Sequence, residues 1–133
     1  MKKVFCLIFA IALILSSVAI AEPVRYSHQF TAKDGFDVAT AEKESGVGVS
    51  AKVENIGGCN GHSMYYQVRR GNVQSSEYAI KKGNGSVSMA YKKDGNGESL
   101  GRTGYSYRLR VAHRTQCTCK KGTSVTASGS FRP

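Results

Sequence analysis

The segment from Gly104 to Arg114 alternates with a period of two along its whole length. Its odd-numbered positions carry large apolar or aromatic side chains and one histidine: Tyr105, Tyr107, Leu109, Val111 and His113. Its even-numbered positions are polar, small or basic: Ser106, Arg108, Arg110, Ala112 and Arg114. Because successive side chains of a β-strand point to opposite faces, the segment predicts a half-buried strand with a basic outer face.

Shorter alternating segments fill most of the remaining chain. They predict strands from Arg25 to Thr31, Val47 to Asn55, Ser63 to Arg70, Val73 to Ile80, Ser86 to Lys92 and Thr123 to Arg132. Phe36 to Ser45 lacks a sustained period and is predicted to be a loop. Six or seven short strands separated by Gly, Asn and Asp turns, with no helical stripe, favour an all-β fold, namely an antiparallel β-sandwich or a barrel-like arrangement.

The amino-terminal 21 residues predict a secretory signal peptide. A charged start at residues 2–3 precedes an apolar run over residues 4–14, and residues 19–21 (Ala-Ile-Ala) fit a cleavage site. We therefore expect residues 22–133 to form a single β-sandwich domain that is secreted. A membrane anchor is the alternative, but two serines at residues 16–17 interrupt the run, and no basic stop-transfer flank follows it.

Charge is distributed unevenly along the predicted domain. Residues 22–68 carry 4 basic and 6 acidic residues, whereas residues 69–133 carry 13 basic and 3 acidic residues, a net charge of +10. The strongly basic carboxyl-terminal half predicts an anionic partner, either a cell-envelope component or an acidic protein. Nucleic acid is a less favoured partner.

The predicted binding surface consists of basic residues and one tyrosine. Its members are Tyr65, Arg69, Arg70, Arg108, Arg110, Arg114, Lys120 and Lys121. An outward tyrosine beside arginines suits amphipathic contact with a sugar, a base or a membrane interface. For the lysine pairs the alternative is that they keep strand edges from aggregating. That alternative explains the arginines less well.

Three cysteines lie in the predicted domain: Cys59, Cys117 and Cys119. Because a secreted protein meets an oxidising compartment, we expect Cys59 to form a disulfide with one of the other two, contributing about 4 kcal/mol by the chain-entropy model. The third cysteine then suits a disulfide-linked dimer. A zinc site of the three cysteines with His62 is the alternative, but secretion works against thiolate-bound zinc, so we predict no metal and no cofactor.

The sequence contains no recognisable catalytic motif. No Ser-His-Asp order, HExxH, GxSxG or P-loop pattern occurs, so we expect a protein without enzymatic activity. A secreted ribonuclease is the enzymatic alternative. Its parts would be Glu77 or Glu98 with His113 and Arg110, although no spacing ties these residues together.

Three segments resemble small secreted proteins of Gram-positive bacteria, including the lactococcin-type bacteriocins. They are residues 1–3 (Met-Lys-Lys), Gly46 to Asn55 and Val125 to Phe131. The resemblance implies a β-sandwich and an antimicrobial activity. Together with the basic half, it gives the favoured hypothesis of a secreted, bacteriocin-like protein that binds an anionic cell envelope. The alternative is an inhibitor or interaction module for a secreted enzyme, using loops from Ile56 to Gly61 and from Lys93 to Gly101.

Overall fold

The computed structural model describes residues 22–30, 35–44, 50–57, 63–82, 84–113 and 125–133. Within these ranges every regular secondary-structure element is a β-strand. They are β1 (Val24–Phe30), β2 (Gly35–Glu42), β3 (Ser50–Gly57), β4 (Ser63–Arg70), β5 (Val73–Gln74), β6 (Ala79–Lys82), β7 (Gly85–Ala90), β8 (Ser106–His113) and β9 (Val125–Arg132). The all-β prediction is confirmed, although the described strands outnumber the six or seven predicted.

The strands form two antiparallel sheets, consistent with a β-sandwich. One sheet has the order β1-β9-β3-β7. The other has the order β2-β8-β4-β5, and β6 pairs with the other end of β4. Among the described residues no helix is long and apolar enough to cross a bilayer.

The core consists of side chains at alternate positions of the strands. The four-stranded sheet contributes Tyr26, Phe30, Ala51, Val53, Val87, Met89, Ala127 and Phe131, and the five-stranded sheet contributes Ala39, Met64, Tyr66, Val68, Tyr107, Leu109 and Val111. Each large apolar side chain that is fully buried contributes about 1.5–3 kcal/mol. The inward positions predicted for β4, β7 and the centre of β8 are confirmed. The exposure of two residues departs from what alternation alone suggests: Gln67, on the outer face opposite Arg110, is only 7% exposed, and Tyr105, just before β8 begins, is 47% exposed.

Strand β2 lies where the sequence predicts a loop, so that prediction is wrong. β2 pairs with β8, placing Phe36 opposite Val111 and Ala41 opposite Tyr107. A bulge between Asp37 and Ala39 breaks the register. Because a bulge inserts one extra residue, the inward positions before and after it differ in parity. The segment therefore shows no uniform period of two.

The segment predicted as one strand from Val73 to Ile80 is two strands with an irregular link. The amides of Ser75 and Ser76 both donate to the carbonyl oxygen of Val68, at 2.9 and 3.2 Å. The Glu77 amide then donates to the carbonyl of Ala90 at 2.9 Å, at the end of β7. The link thus bonds to strands of both sheets and joins their edges on this side of the sandwich.

The connection from β7 to β8 is held by the hydroxyl of Tyr107. This hydroxyl accepts a hydrogen bond from the Arg102 amide at 2.7 Å and donates to the carbonyl of Leu100 at 2.7 Å. Gly101 lies flat against Tyr91, since a Cβ at this position would be 2.2 Å from a ring carbon. Any larger residue there would push the connection away from the core.

A buried lysine packs against the ring of Tyr91. Lys43 is only 3% exposed, and its Nζ lies 4.9 Å from the centre of the Tyr91 ring. Burial lowers the pKa of Lys43, and the charge of nearby Arg132 lowers it further. Its backbone amide donates to the carbonyl of Tyr105 at 3.0 Å, and this bond extends the pairing of β2 with the chain that leads into β8.

Candidate anion-binding surface

Three of the predicted binding residues lie together on the outer face of the five-stranded sheet. Arg69 of β4 is directly opposite Arg108 of β8, and Gln67 is directly opposite Arg110. We call Arg69, Arg108 and Arg110 the arginine face. Its position follows from sequence alternation, because the residues between these arginines point into the core.

An acidic residue that the sequence analysis did not select neutralises part of this face. One carboxylate oxygen of Asp37 lies 2.8 Å from Arg108, and the other lies 3.6 Å from Arg110. Asp37 reaches both arginines because β2 pairs with β8 and places it opposite Arg110. Glu42 lies further along the same strand, opposite Ser106. The described part of the face is therefore less cationic than the stripe of arginines alone predicts.

The β4–β5 turn holds two of the guanidinium groups. Arg69 donates to the carbonyl of Asn72 at 3.0 Å, and Arg108 donates to the carbonyl of Gly71. Gly71 has a φ of 58°, a left-handed conformation that favours glycine. The Nε of Arg69 is buried and has no hydrogen-bond partner among the described residues. The turn thus fixes both arginines, and one buried donor of Arg69 stays unpaired among the described residues.

Apolar side chains border the arginine face on the β6 side. Tyr65 is half-buried and lies opposite Ile80, which is 52% exposed. Tyr78, two residues before Ile80, is 60% exposed. We call Tyr65, Tyr78 and Ile80 the apolar border. Charged and apolar groups in adjacent positions make this surface amphipathic.

Arg70 does not belong to the arginine face. It has the parity of the inward residues Tyr66 and Val68, and its guanidinium lies 4.6 Å from the centre of the Tyr105 ring. This cation–π contact lies at the end of the sandwich, where the core-facing positions of β4 and β8 reach solvent. Arg70, which the sequence places in the predicted binding surface, therefore lies apart from the arginine face.

Several predicted residues lie outside the described part of the chain. They are Cys59, His62, Arg114, Cys117, Cys119, Lys120 and Lys121, and the side chain of His113 is not described either. The disulfide, the zinc alternative and the basic extension of the arginine face therefore stay predictions. Among the residues that are described, no group of His, Cys, Asp and Glu is suited to hold a metal ion.

Two of the residues named for a ribonuclease site, Glu98 and Arg110, form ion pairs with other side chains. Glu98 lies 2.6 Å from Arg102, which also contacts Asp94 at 2.9 Å. Arg110 contacts Asp37 instead. Hydrogen bonds from the amides of Glu98 and Asn96 lower the pKa of Asp94, so its carboxylate stabilises its own loop. The described residues thus do not bring Glu98 and Arg110 into one catalytic pair.

A comparison of the chain with protein-family models, with curated proteins and with solved structures gives no match. The resemblance to bacteriocins therefore rests on the sequence segments alone. Function has to be inferred from the surface itself.

Proposed function

We propose that this protein is a non-enzymatic, secreted binding protein that engages an anionic component of a cell envelope through its arginine face. The observation that carries the proposal is the position of Arg69 directly opposite Arg108 on a solvent-facing sheet. Like charges in directly opposed positions destabilise a sheet. An anion bound between the two arginines would relieve this repulsion and stabilise the sheet. Asp37 offsets only part of this charge.

The apolar border supports an envelope target over a free polyanion. Ile80 and Tyr78 are more than half exposed at the β6 side of the sheet that carries the arginine face. Tyrosine and aliphatic side chains gain free energy at a membrane interface, where arginine attracts anionic headgroups. A bacteriocin-like antimicrobial is the specific form of this proposal. Its action would begin with electrostatic attraction and would weaken as salt screens the charges.

The proposal is tested by vesicle binding. The double variant Arg69→Gln/Arg108→Gln should bind vesicles of phosphatidylglycerol and phosphatidylcholine about thirtyfold more weakly, at about 1 kcal/mol for each basic residue near an anionic surface. The variant Lys92→Gln/Lys93→Gln has the same net charge as the double arginine variant but changes the β7–β8 connection. It should lose much less affinity for the vesicles. Binding that is unchanged between 50 mM and about 1 M salt, where screening is nearly complete, would contradict the proposal.

Growth inhibition tests the antimicrobial form. Purified protein should inhibit the growth of related bacteria, and the double arginine variant should lose this effect together with vesicle binding. Vesicle binding without inhibition would keep the binding function and remove the antimicrobial one.

A second candidate is an interaction module for a secreted protein. The exposed apolar border favours it, since tyrosine and arginine are enriched in the cores of protein interfaces. A protein partner would copurify with the wild type and with the double arginine variant, and it would be lost on Tyr78→Ser/Ile80→Ser. Salt-sensitive vesicle binding that survives the serine variant would instead favour the envelope.

A further inference from the structure

A second charged surface lies on the four-stranded sheet, on strands other than those of the arginine face. A groove of about 470 Å³ crosses the outer face of β7, β3 and β9. Its polar lining consists of Lys52, Glu54, Ser86, Ser88, Ser130 and Arg132. We call it the serine groove. Sequence alternation does not reveal this groove, because the lining residues come from three strands whose pairing cannot be deduced from the period of each strand.

Two cations meet at one end of the serine groove. Lys52 of β3 lies directly opposite Arg132 of β9. The ion pairs of the described residues involve other side chains, so neither cation has a described carboxylate within 4.0 Å. Opposed like charges destabilise a sheet pair. An anionic group bound between them would remove that repulsion and would form charge-assisted hydrogen bonds with both.

Acceptors and hydroxyls occupy the middle of the groove. Glu54 lies two residues from Lys52 on the same face, between Ser130 of β9 and Ser86 of β7. Residues two apart along a strand are separated by about 6.6 Å, a distance that one sugar ring with its substituents bridges. A ligand that fits would carry one anion at its cationic end and hydroxyl groups opposite Glu54.

We propose that the serine groove binds a carboxylated sugar, such as a uronic acid unit of an acidic polysaccharide. The sugar carboxylate lies between Lys52 and Arg132. Ring hydroxyls donate to Glu54 and exchange hydrogen bonds with Ser86 and Ser130. Glu54 disfavours a continuous run of phosphates, because a second anion would lie next to its carboxylate. Glu54 therefore makes nucleic acid a less suitable ligand than a uronate, and the serine groove lies on strands other than those of the arginine face.

Calorimetric titration with two uronates tests the proposal. The probes are tetragalacturonate and a hyaluronan tetrasaccharide, with maltotetraose as the neutral control. At least one uronate should bind, and Lys52→Gln should weaken that binding about tenfold, the effect of losing a hydrogen bond to a charged group. The exposed Lys93→Gln is the matched control and should bind like wild type. Both variants leave the arginine face intact, so the difference between them does not depend on whether that face binds anions.

The variant Glu54→Ala separates sugar recognition from simple anion attraction. If Glu54 accepts hydroxyls, its removal weakens uronate binding, whereas a bare anion site would bind uronate and sulfate more tightly once the carboxylate is gone. Circular dichroism confirms that each variant is folded. No binding of either uronate at millimolar concentration overturns the proposal, and so does equal binding by Lys52→Gln and Lys93→Gln or stronger binding by Glu54→Ala.

Discussion

The carboxylate of Asp37 lies 2.8 Å from a guanidinium nitrogen of Arg108, across the pairing of β2 with β8. The same carboxylate lies 3.6 Å from Arg110, so a single anion is held against two of the three cations of the arginine face. All three side chains are partly exposed, which limits the contribution of each pair to stability. The larger consequence is for binding, because Asp37 sets how much positive charge the face offers to a ligand.

Asp37→Asn should strengthen binding to anionic vesicles while lowering stability only slightly. One more unit of positive charge near an anionic membrane is worth about 1 kcal/mol, or about fivefold in affinity. Loss of the partly exposed ion pairs should lower the free energy of unfolding by about 0.5–1 kcal/mol. The exposed Glu44→Gln makes the same change in net charge away from the arginine face. Equal gains in vesicle affinity for both variants would show that only net charge matters.

The alternation of the strands was sufficient to predict the fold class and most of the core. It placed Met64, Tyr66 and Val68 inward and Arg108 outward, because each depends only on the period of its own strand. It could not place Asp37. The bulge in β2 breaks the period, and the pairing of β2 with β8 joins segments about 70 residues apart in sequence.

The pairing of Lys52 with Arg132 illustrates the same limit. Each residue has an outward position in its own strand, but only the register of β3 against β9 brings the two cations together. Register depends on side-chain packing across the sheet and on turn geometry, and a single-strand pattern contains neither. The period of a strand therefore predicts which way a side chain points, but not which side chain of the neighbouring strand it contacts.

Ser76→Ala should destabilise the protein through an unsatisfied amide. The buried hydroxyl of Ser76 accepts from the Val68 amide at 2.9 Å and donates to the carbonyl of Glu77 at 2.8 Å. Leaving a buried donor without its partner costs about 1–3 kcal/mol. Urea unfolding measures this loss. Ser106→Ala changes an exposed serine and should have little effect, and an equal effect of the two substitutions would contradict the assigned role of Ser76.

Tyr107→Phe should destabilise the protein, whereas Tyr91→Phe should not. The two rings are in contact, with their centres 5.4 Å apart, but only Tyr107 uses its hydroxyl to hold the Leu100–Arg102 backbone. The Tyr91 hydroxyl is buried and has no hydrogen-bond partner among the described residues. We expect a loss of about 1–2 kcal/mol for Tyr107→Phe, and no loss or a small gain for Tyr91→Phe.

Hydrogen exchange distinguishes the local role of Tyr107 from a general loss of stability. The Arg102 amide, which donates to Tyr107, should exchange faster in Tyr107→Phe than in a variant of equal overall stability. Unchanged protection of this amide would contradict the proposed anchoring of the connection.

Tyr91 should make the protein less stable at alkaline pH. Burial raises the pKa of Tyr91 above its ordinary value of 10.0, and the neighbouring Tyr107 raises it further. A raised pKa of the folded state means that the stabilisation is fully present below the pKa of the unfolded chain and is lost as pH rises toward the folded value. From pH 9 to pH 11 the loss due to Tyr91 should be about 1.4 kcal/mol. Lys43, which lies over the Tyr91 ring, acts in the opposite direction, because its lowered pKa favours the folded state as pH approaches 10.5.

The difference between wild type and Tyr91→Phe isolates the tyrosine from the lysine. Urea unfolding at pH 9, 10 and 11 should show the stability of wild type falling relative to Tyr91→Phe, with the difference growing above pH 10, because only wild type must keep the Tyr91 hydroxyl protonated. In a Lys43→Met background, the difference in stability between the protein with Tyr91 and the one with Tyr91→Phe should remain. The rise in stability that Lys43 contributes below pH 10.5 should disappear. Parallel curves for wild type and Tyr91→Phe would show that the Tyr91 hydroxyl titrates equally in the folded and unfolded chains.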